Sequence, residues 1–277
     1  MAKNSAYPFY KMSGGGNDFV IFDNRKKTLP EDYSALAKKV CHRKFSIGAD
    51  GLLVLEEAPS ADFRMVYYNA DGSRAEMCGN GARCIARFAN VLKAAPAKMK
   101  FETDAGTVGA EVGEESVKVT LVNPKDMRLD FPLKMDDQKE FNASFINTGV
   151  PHVIVMVTDA EKISVDELGR KIRYHRDFAP AGTNANFVQL VDAHHLAVRT
   201  YERGVEEETL ACGTGVTAAA VVFGAKKLVE SPVDCLTKGG ETLRVHFRIT
   251  ETGQRKAITD VVLEGPATVS YHGEVIL

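Results

Sequence analysis

No apolar run in this 277-residue chain approaches the roughly 20 residues that span a bilayer. The longest, at 218–223 and 153–157, are only a few residues each. An excess of one charge is also missing: 35 Lys and Arg stand against 37 Asp and Glu, leaving no basic field to hold nucleic acid or an anionic lipid surface. Five cysteines are an odd number over a long chain, which rules out a complete disulfide framework and favours free thiols in a reducing compartment. Residues 1–12 mix Lys3, Asn4, Ser5 and Lys11 with aromatics and lack the apolar core of a secretory signal, so the expectation is a cytoplasmic protein. Long βαβ alternation of the Rossmann kind is absent, and Ser13-Gly14-Gly15-Gly16-Asn17 lacks the Lys-Ser/Thr of a phosphate loop and reads as a turn.

What remains is the composition of a folded globular chain, 44% hydrophobic and 26% charged, long enough for one large domain or two of ordinary size. Short β-branched and aromatic runs bounded by turn residues predict strands at 19–22, 52–55, 63–68, 107–112, 117–121, 152–157, 187–191, 197–201, 242–249 and 257–263. Helical spacing appears at 32–41, from near Asn80, at 166–174, and from near Thr214. The fold class is therefore α+β.

Two segments resemble each other, Cys78-Gly79-Asn80-Gly81-Ala82-Arg83-Cys84 and Cys212-Gly213-Thr214-Gly215-Val216-Thr217-Ala218, and they lie close to half a chain apart. Offsets of 4, 7, 8 and 11 from each cysteine give Ala82, Ile85, Ala86, Ala89 and Val216, Ala219, Ala220, Phe223, a small apolar face repeated at helical spacing. An internal duplication into two strand-rich halves, each built around one helix, follows. The second helix is apolar almost all round and should be buried inside a curled sheet. Asn123-Pro124-Lys125-Asp126 is a turn signal near the midpoint and the best linker candidate.

A thiol at the first turn of a helix sits where unpaired N–H groups and the positive end of the dipole favour its thiolate. Glycines beside it let a carboxylate approach those N–H groups. Two such thiols on opposite faces of one α-carbon make a racemising pair, one removing a proton while the other delivers one. The remaining thiols, Cys41, Cys84 and Cys235, lack this context and read as packing residues, and no zinc-ligand spacing or other metal site is expected.

The chain closely resembles the diaminopimelate epimerases. The resemblance rests on Gly16-Asn17-Asp18-Phe19, Gly48-Ala49-Asp50-Gly51, Asn69-Ala70-Asp71-Gly72-Ser73, both cysteine segments, Pro151-His152, Thr183-Asn184-Ala185-Asn186-Phe187 and Tyr201-Glu202-Arg203-Gly204. It implies two pseudo-symmetric domains, each a barrel-like, mostly antiparallel sheet around a central helix: residues 1–123 with a returning strand at 267–277, and residues 124–266. It further implies cofactor-independent inversion of LL- to meso-diaminopimelate in lysine biosynthesis, with Cys78 and Cys212 as the acid/base pair. The N–H groups of Gly79, Asn80, Gly213 and Thr214 would hold the reacting carboxylate, with help from Asn17. Asn69, Asn184 and Arg203 would hold the distal carboxylate and Glu202 the distal ammonium; His152 and Glu202 would tune the thiols.

Two departures from the family pattern bear on the substrate contacts. Val150 stands where many members carry an Asn, so Asn147 or a water must supply that hydrogen bond, and Gly51 replaces a Gln found in some. Three other readings stay open: a proline or hydroxyproline racemase, a thiol redox protein using Cys78 with Cys212, and a non-catalytic amino-acid binding module. The expected partner is a small amino-acid substrate, with no nucleic acid and no membrane, and a homodimer stays open.

Overall fold

The computed structural model describes residues 5–135, 139–252 and 255–277. Lys3 and Asn4 of the N-terminal reading, and positions 136–138 and 253–254 of the expected second half, lie outside the described residues. The chain divides into two compact units, Met1–Val119 with Gly265–Leu277, and Thr120–Glu264. No helix among the described residues is long and apolar enough to cross a membrane.

In the first unit, strands Asn17–Asp23 and Gly51–Glu56 are apolar at consecutive positions and pair in parallel, so both of their faces need cover. Helix α1 (Tyr33–Val40) covers one face, packing Leu36, Ala37 and Val40 against Val20, Phe22, Leu52 and Val54. Helix α2 (Gly79–Val91) covers the other, where the Leu53 side chain lies against Gly81. Strand Ala6–Gly14 joins Asn17–Asp23 through Gly15 and Gly16, with φ of 64° and 83°. Positive φ at both central residues is the two-residue hairpin turn that fits strand twist. On its other side Ala6–Gly14 pairs with the C-terminal strand Thr268–Ile276.

The second unit repeats this connection order. A strand, here Glu140–Asn147, turns into Pro151–Val157, and an outer helix α3 (Val165–Arg173) leads to the parallel strand Asn184–Leu190. The antiparallel strand His195–Tyr201 follows, then a two-residue strand, then the cysteine helix α4 (Gly213–Ala225) and three further strands. The first unit places Phe63–Asn69, Arg74–Ala75, α2 and the strands Lys98–Thr103, Gly106–Val112 and Ser116–Thr120 in the same succession. Duplication is thus visible in topology as well as in the two cysteine segments. Strand Lys125–Lys134 begins inside the turn signal, where Asp126 takes a φ of 57°.

Alternation within the second unit sorts chemistry between faces. Val153, Val155, Ala185, Phe187 and Tyr201 join Val165 and Ile172 of α3 in an apolar core. The intervening positions His152, Asn184, Asn186 and Thr200 therefore project to the other face, and Asn186 and Thr200 meet Gly215 of α4 there. α4 is buried on every side from Gly215 to Phe223, as its sequence requires.

Packing of α3 gives a direct test. A Cβ added at Gly169 would lie 2.3 Å from Cβ of Tyr201. Alanine gains about 1 kcal/mol in helix propensity, whereas overpacking a core typically costs about 1–3 kcal/mol. A 2.3 Å contact between two Cβ atoms sits at the upper end of that cost, so Gly169→Ala should lower the urea midpoint, by about 2 kcal/mol of stability; an unchanged or raised midpoint contradicts the contact.

Candidate active site

Both duplicated cysteines are N-cap residues in extended conformation, Cys78 with φ −138° and Cys212 with φ −123°. Intrahelical bonding starts at Ala82 N to Cys78 O (2.7 Å) and Val216 N to Cys212 O (2.9 Å), so the preceding first-turn N–H groups have no intrahelical acceptor. Neither cysteine side chain caps them, and neither first turn contains an acidic residue. Each helix therefore presents a thiol beside an anion-seeking row of N–H groups.

Side chains fix the turn around Cys78. Asn80 Nδ2 donates to Gly15 O (3.1 Å) and Asn17 Oδ1 (2.8 Å), while its Oδ1 accepts from the fully buried Arg83 (2.8 Å). Arg83 also donates to Pro266 O (3.3 Å) and Gly79 O (3.5 Å). The amide of Asn17 is thereby oriented, with its Nδ2 donating to Asp50 Oδ2 (3.0 Å). The Asp50 carbonyl accepts from Ala70 N (3.0 Å), tying the turn that carries Asn69 to the same residue. Tyr67 donates to Asn69 Oδ1 (2.8 Å) and Asn69 Nδ2 donates to Ser73 Oγ (3.0 Å), so this amide too has a set orientation.

The second unit gathers its expected residues into one cluster. Thr148 Oγ1 donates to Thr214 O (3.1 Å), and Cys212 Sγ lies 3.5 Å from Thr214 Oγ1. Asn184 Nδ2 donates to Pro151 O (2.9 Å), and its Oδ1 accepts from Arg203 N (2.8 Å). Burial raises the Glu202 carboxyl above its usual range, against hydrogen bonds from Thr209 and Cys212 that favour its charge. Burial pushes His152 down to about 3 despite its bond to Asn186, and the positive charge of Arg203 adds to the effect. The imidazole is neutral at neutral pH.

No disulfide links any of the five cysteines, and Cys41, Cys84 and Cys235 are core residues. Burial lifts the Cys41 thiol to about 12 and Cys235 higher still, so neither supplies a thiolate. Cys78 is the most accessible of the five.

A family model described as diaminopimelate epimerase matches residues 9–125 and 144–269. The chain belongs to the diaminopimelate epimerase family. It is 46% identical over 253 residues to the diaminopimelate epimerase of Aquifex aeolicus, covering 86% of this chain and 89% of that one. With the Chlorobaculum tepidum diaminopimelate epimerase it shares 41% over 270 residues, covering 96% and 100%. Among solved structures, a Bacillus anthracis phenazine biosynthesis protein of the PhzF family superposes with a TM-score of 0.71 at 15% identity over 99% of this chain and 100% of that one. A probable proline racemase from Agrobacterium radiobacter gives 0.70 at 15% identity, over 98% and 93%. At such identity these two share the fold.

Some expectations for this epimerase-family chain need correction. The second glycine of the Cys212 motif does not open space for a ligand: a Cβ on Gly215 would lie 2.5 Å from Asn186 Oδ1 and 3.2 Å from Thr200 Oγ1, so the missing side chain admits protein. A Cβ on Gly81 would lie against Leu53 and Met65 at ordinary contact distance. The expectation for Asn147 is not among these corrections: its Oδ1 accepts from Gly149 N (3.0 Å) within its own turn, a bond that does not involve its Nδ2. Gly51 is obligatory in its own right, since a Cβ there would meet Tyr67 Cε2 at 2.7 Å. Residues given no site role from the sequence, namely Asp50, Tyr67, Thr148, Asn186 and Thr200, hold the expected ones in place. Polar side chains interrupting an apolar strand, as Asn186 does between Ala185 and Phe187, were the available signal.

Asp18 anchors the segment beside Asn17. Burial alone would raise its carboxyl, but hydrogen bonds from Arg43 and Lys11 outweigh this and bring it from 3.8 to about 2. A carboxyl held below its unfolded value contributes stability that is fully present above the unfolded value and fades as pH falls towards the folded one. Parent and Asp18→Asn should therefore differ most above about pH 4 and converge as pH drops to about 2, measured by urea titration at each pH; a gap that widens on acidification contradicts the assignment.

Proposed function

We propose that this protein inverts one α-carbon of diaminopimelate, interconverting the LL and meso isomers with Cys78 and Cys212 as the acid/base pair and without a pyridoxal cofactor. The observation that carries the reading is the repeated N-cap thiol beside uncapped first-turn N–H groups, on both duplicated helices of a chain from the epimerase family. One thiolate takes the α-proton, the C–H electron pair moves into the carboxylate, and the opposing thiol delivers its proton to the other face. The N–H groups of Gly79, Asn80, Gly213 and Thr214 stabilise the charge that develops on the carboxylate oxygens. After one inversion the two sulfurs have exchanged protonation states, and solvent exchange resets them.

The Cys212 thiol lies within hydrogen-bonding reach of the Glu202 carboxyl, which in this reading tunes it. In this reading Asn17 steadies the reacting end. Asn69, Asn184 and Arg203 receive the distal carboxylate, and Glu202 the distal ammonium, a charge pattern that reads a zwitterion. His152, a neutral ring within the electrostatic reach of Arg203, tunes the thiols in this reading.

The test is turnover of LL-diaminopimelate in deuterated water. Meso product should gain deuterium at the inverted carbon while early recovered substrate stays unlabelled, because the acid thiol alone carries solvent hydrogen. Cys78→Ser and Cys212→Ser should each cut the rate by at least about a hundredfold. Arg203→Gln should raise KM for diaminopimelate by about tenfold to a hundredfold, the worth of a charge-assisted hydrogen bond; a proline racemase would be indifferent to that change. Full activity in either serine variant would overturn the two-thiol reading.

A further inference from the structure

A buried histidine among polar neighbours carries a hydrogen-bond pattern that admits one tautomer. His152, Asn186 and Thr200 sit on adjacent strands of the second unit, with the first two fully buried and Thr200 nearly so. Asn186 has its amide orientation decided by three partners. Its Nδ2 is 2.9 Å from the carbonyl oxygen of Val153, which can only accept. Its Oδ1 is 3.0 Å from Thr200 Oγ1, whose hydroxyl donates. Reversing the amide would set oxygen against oxygen at Val153. The same NH2 group lies 3.1 Å from His152 Nδ1, so Nδ1 must accept and the ring proton must reside on Nε2.

The Nε2 atom is completely buried and has no partner among the described residues. A buried N–H donor left alone costs free energy, so it marks a place for an acceptor. Gly215 supports the arrangement from above: its bare Cα lets the first turn of α4 settle on Asn186 Oδ1 and Thr200 Oγ1, directly behind Cys212 Cβ. The tautomer lock is thus built into the base of the Cys212 turn.

We propose that Asn186, oriented by Thr200, is a positioning residue that fixes His152 as the Nε2–H tautomer, a neutral donor to an anionic oxygen of the bound substrate. His152 therefore exchanges no proton during turnover. Its low affinity for a second proton keeps the ring neutral beside Arg203, and a neutral ring with Nδ1 engaged can offer one hydrogen bond in one direction. The inference rests on the epimerase reading for the identity of the ligand, but the lock itself is a property of the resting chain.

Nitrogen-15 NMR of histidine-labelled protein, free of substrate, reads the lock directly. His152 should show a protonated Nε2 and a pyridine-like Nδ1. Asn186→Asp replaces the donor by an acceptor and should move the proton to Nδ1, with a fall in kcat/KM of about tenfold to a hundredfold. Thr200→Val should weaken the tautomer preference and lower kcat/KM, and Thr200→Ser should restore both. The proposal is overturned if the parent shows a protonated Nδ1 or an imidazolium, a result that holds even if a variant fails to fold. It is equally overturned if Asn186→Asp folds and leaves the tautomer and kcat/KM unchanged. Because tautomer and turnover are separate measurements, a failed lock and a failed epimerase assignment give different results.

Discussion

An α-helix cannot satisfy its own first-turn N–H groups, and this chain twice declines the usual remedy. Ser, Thr, Asn or Asp at an N-cap would accept from those groups and add about 1 kcal/mol each. Cys78 and Cys212 stand there instead, and neither first turn holds an acidic residue that would quench the positive end. Each helix must therefore draw its stability from elsewhere. α4 does so by complete burial, with the small side chains Ala218, Ala219 and Ala220 letting strands approach closely. α2 does so with a polar network whose members each find backbone or amide partners. An uncapped N-terminus held rigidly in a sheet is a site in which charge can be stabilised without reorganisation.

The two units keep one connection order and solve the burial of polar groups in different ways. Near Cys78, Asn17, Asn80 and Arg83 bond in series, and Gly15 must remain bare because a Cβ there would meet Asn80 Oδ1 at 2.7 Å and an Arg83 guanidinium nitrogen at 2.8 Å. Near Cys212 the equivalent task falls to His152, Asn186 and Thr200 beneath Gly215. Both arrangements leave no freedom to the first turn they support. A duplicated fold can keep the placement of a thiol while the scaffolding beneath it diverges, because different sets of buried donors and acceptors can hold the same turn.

Legibility in the sequence followed burial. Each segment expected as strand or helix is one, within a few residues at its ends, whereas the alternating strands Lys98–Thr103 and Val233–Thr237 and the strand Glu140–Asn147 went unread. Strand Lys125–Lys134 escaped because alternate charged residues expose most of its length and Asp126 and Asp130 take positive φ, which resembles a loop in composition. Ala6–Gly14 escaped for a related reason, since Lys11 and Ser13 interrupt its apolar run and Lys11 is buried only through Asp18 and Gly48 O. At the site, the cysteines were legible because duplication repeats them. Asn186, Thr200 and Tyr67 were not, because their importance lies in which atom faces which, and spacing along the chain carries no record of amide orientation.

The far ends of the cysteine helices complete the electrostatic argument. Both close with the same motif: Ala94 N to Ala89 O (2.8 Å) with Lys93 N to Asn90 O (3.0 Å), and Leu228 N to Phe223 O (2.9 Å) with Lys227 N to Gly224 O (2.9 Å). Glycine commonly occupies the left-handed residue of such a terminus, yet Lys93 and Lys227 hold it here with φ of 56° and 60°. A side chain in that region costs about 1 kcal/mol relative to glycine. A cation at a helix C-terminus returns about 0.3–1 kcal/mol, so the choice is close to neutral for stability. Its electrostatic sense is the complement of the uncapped N-terminus, with positive charge kept at the end remote from the thiol and the anion-seeking end left open to a ligand.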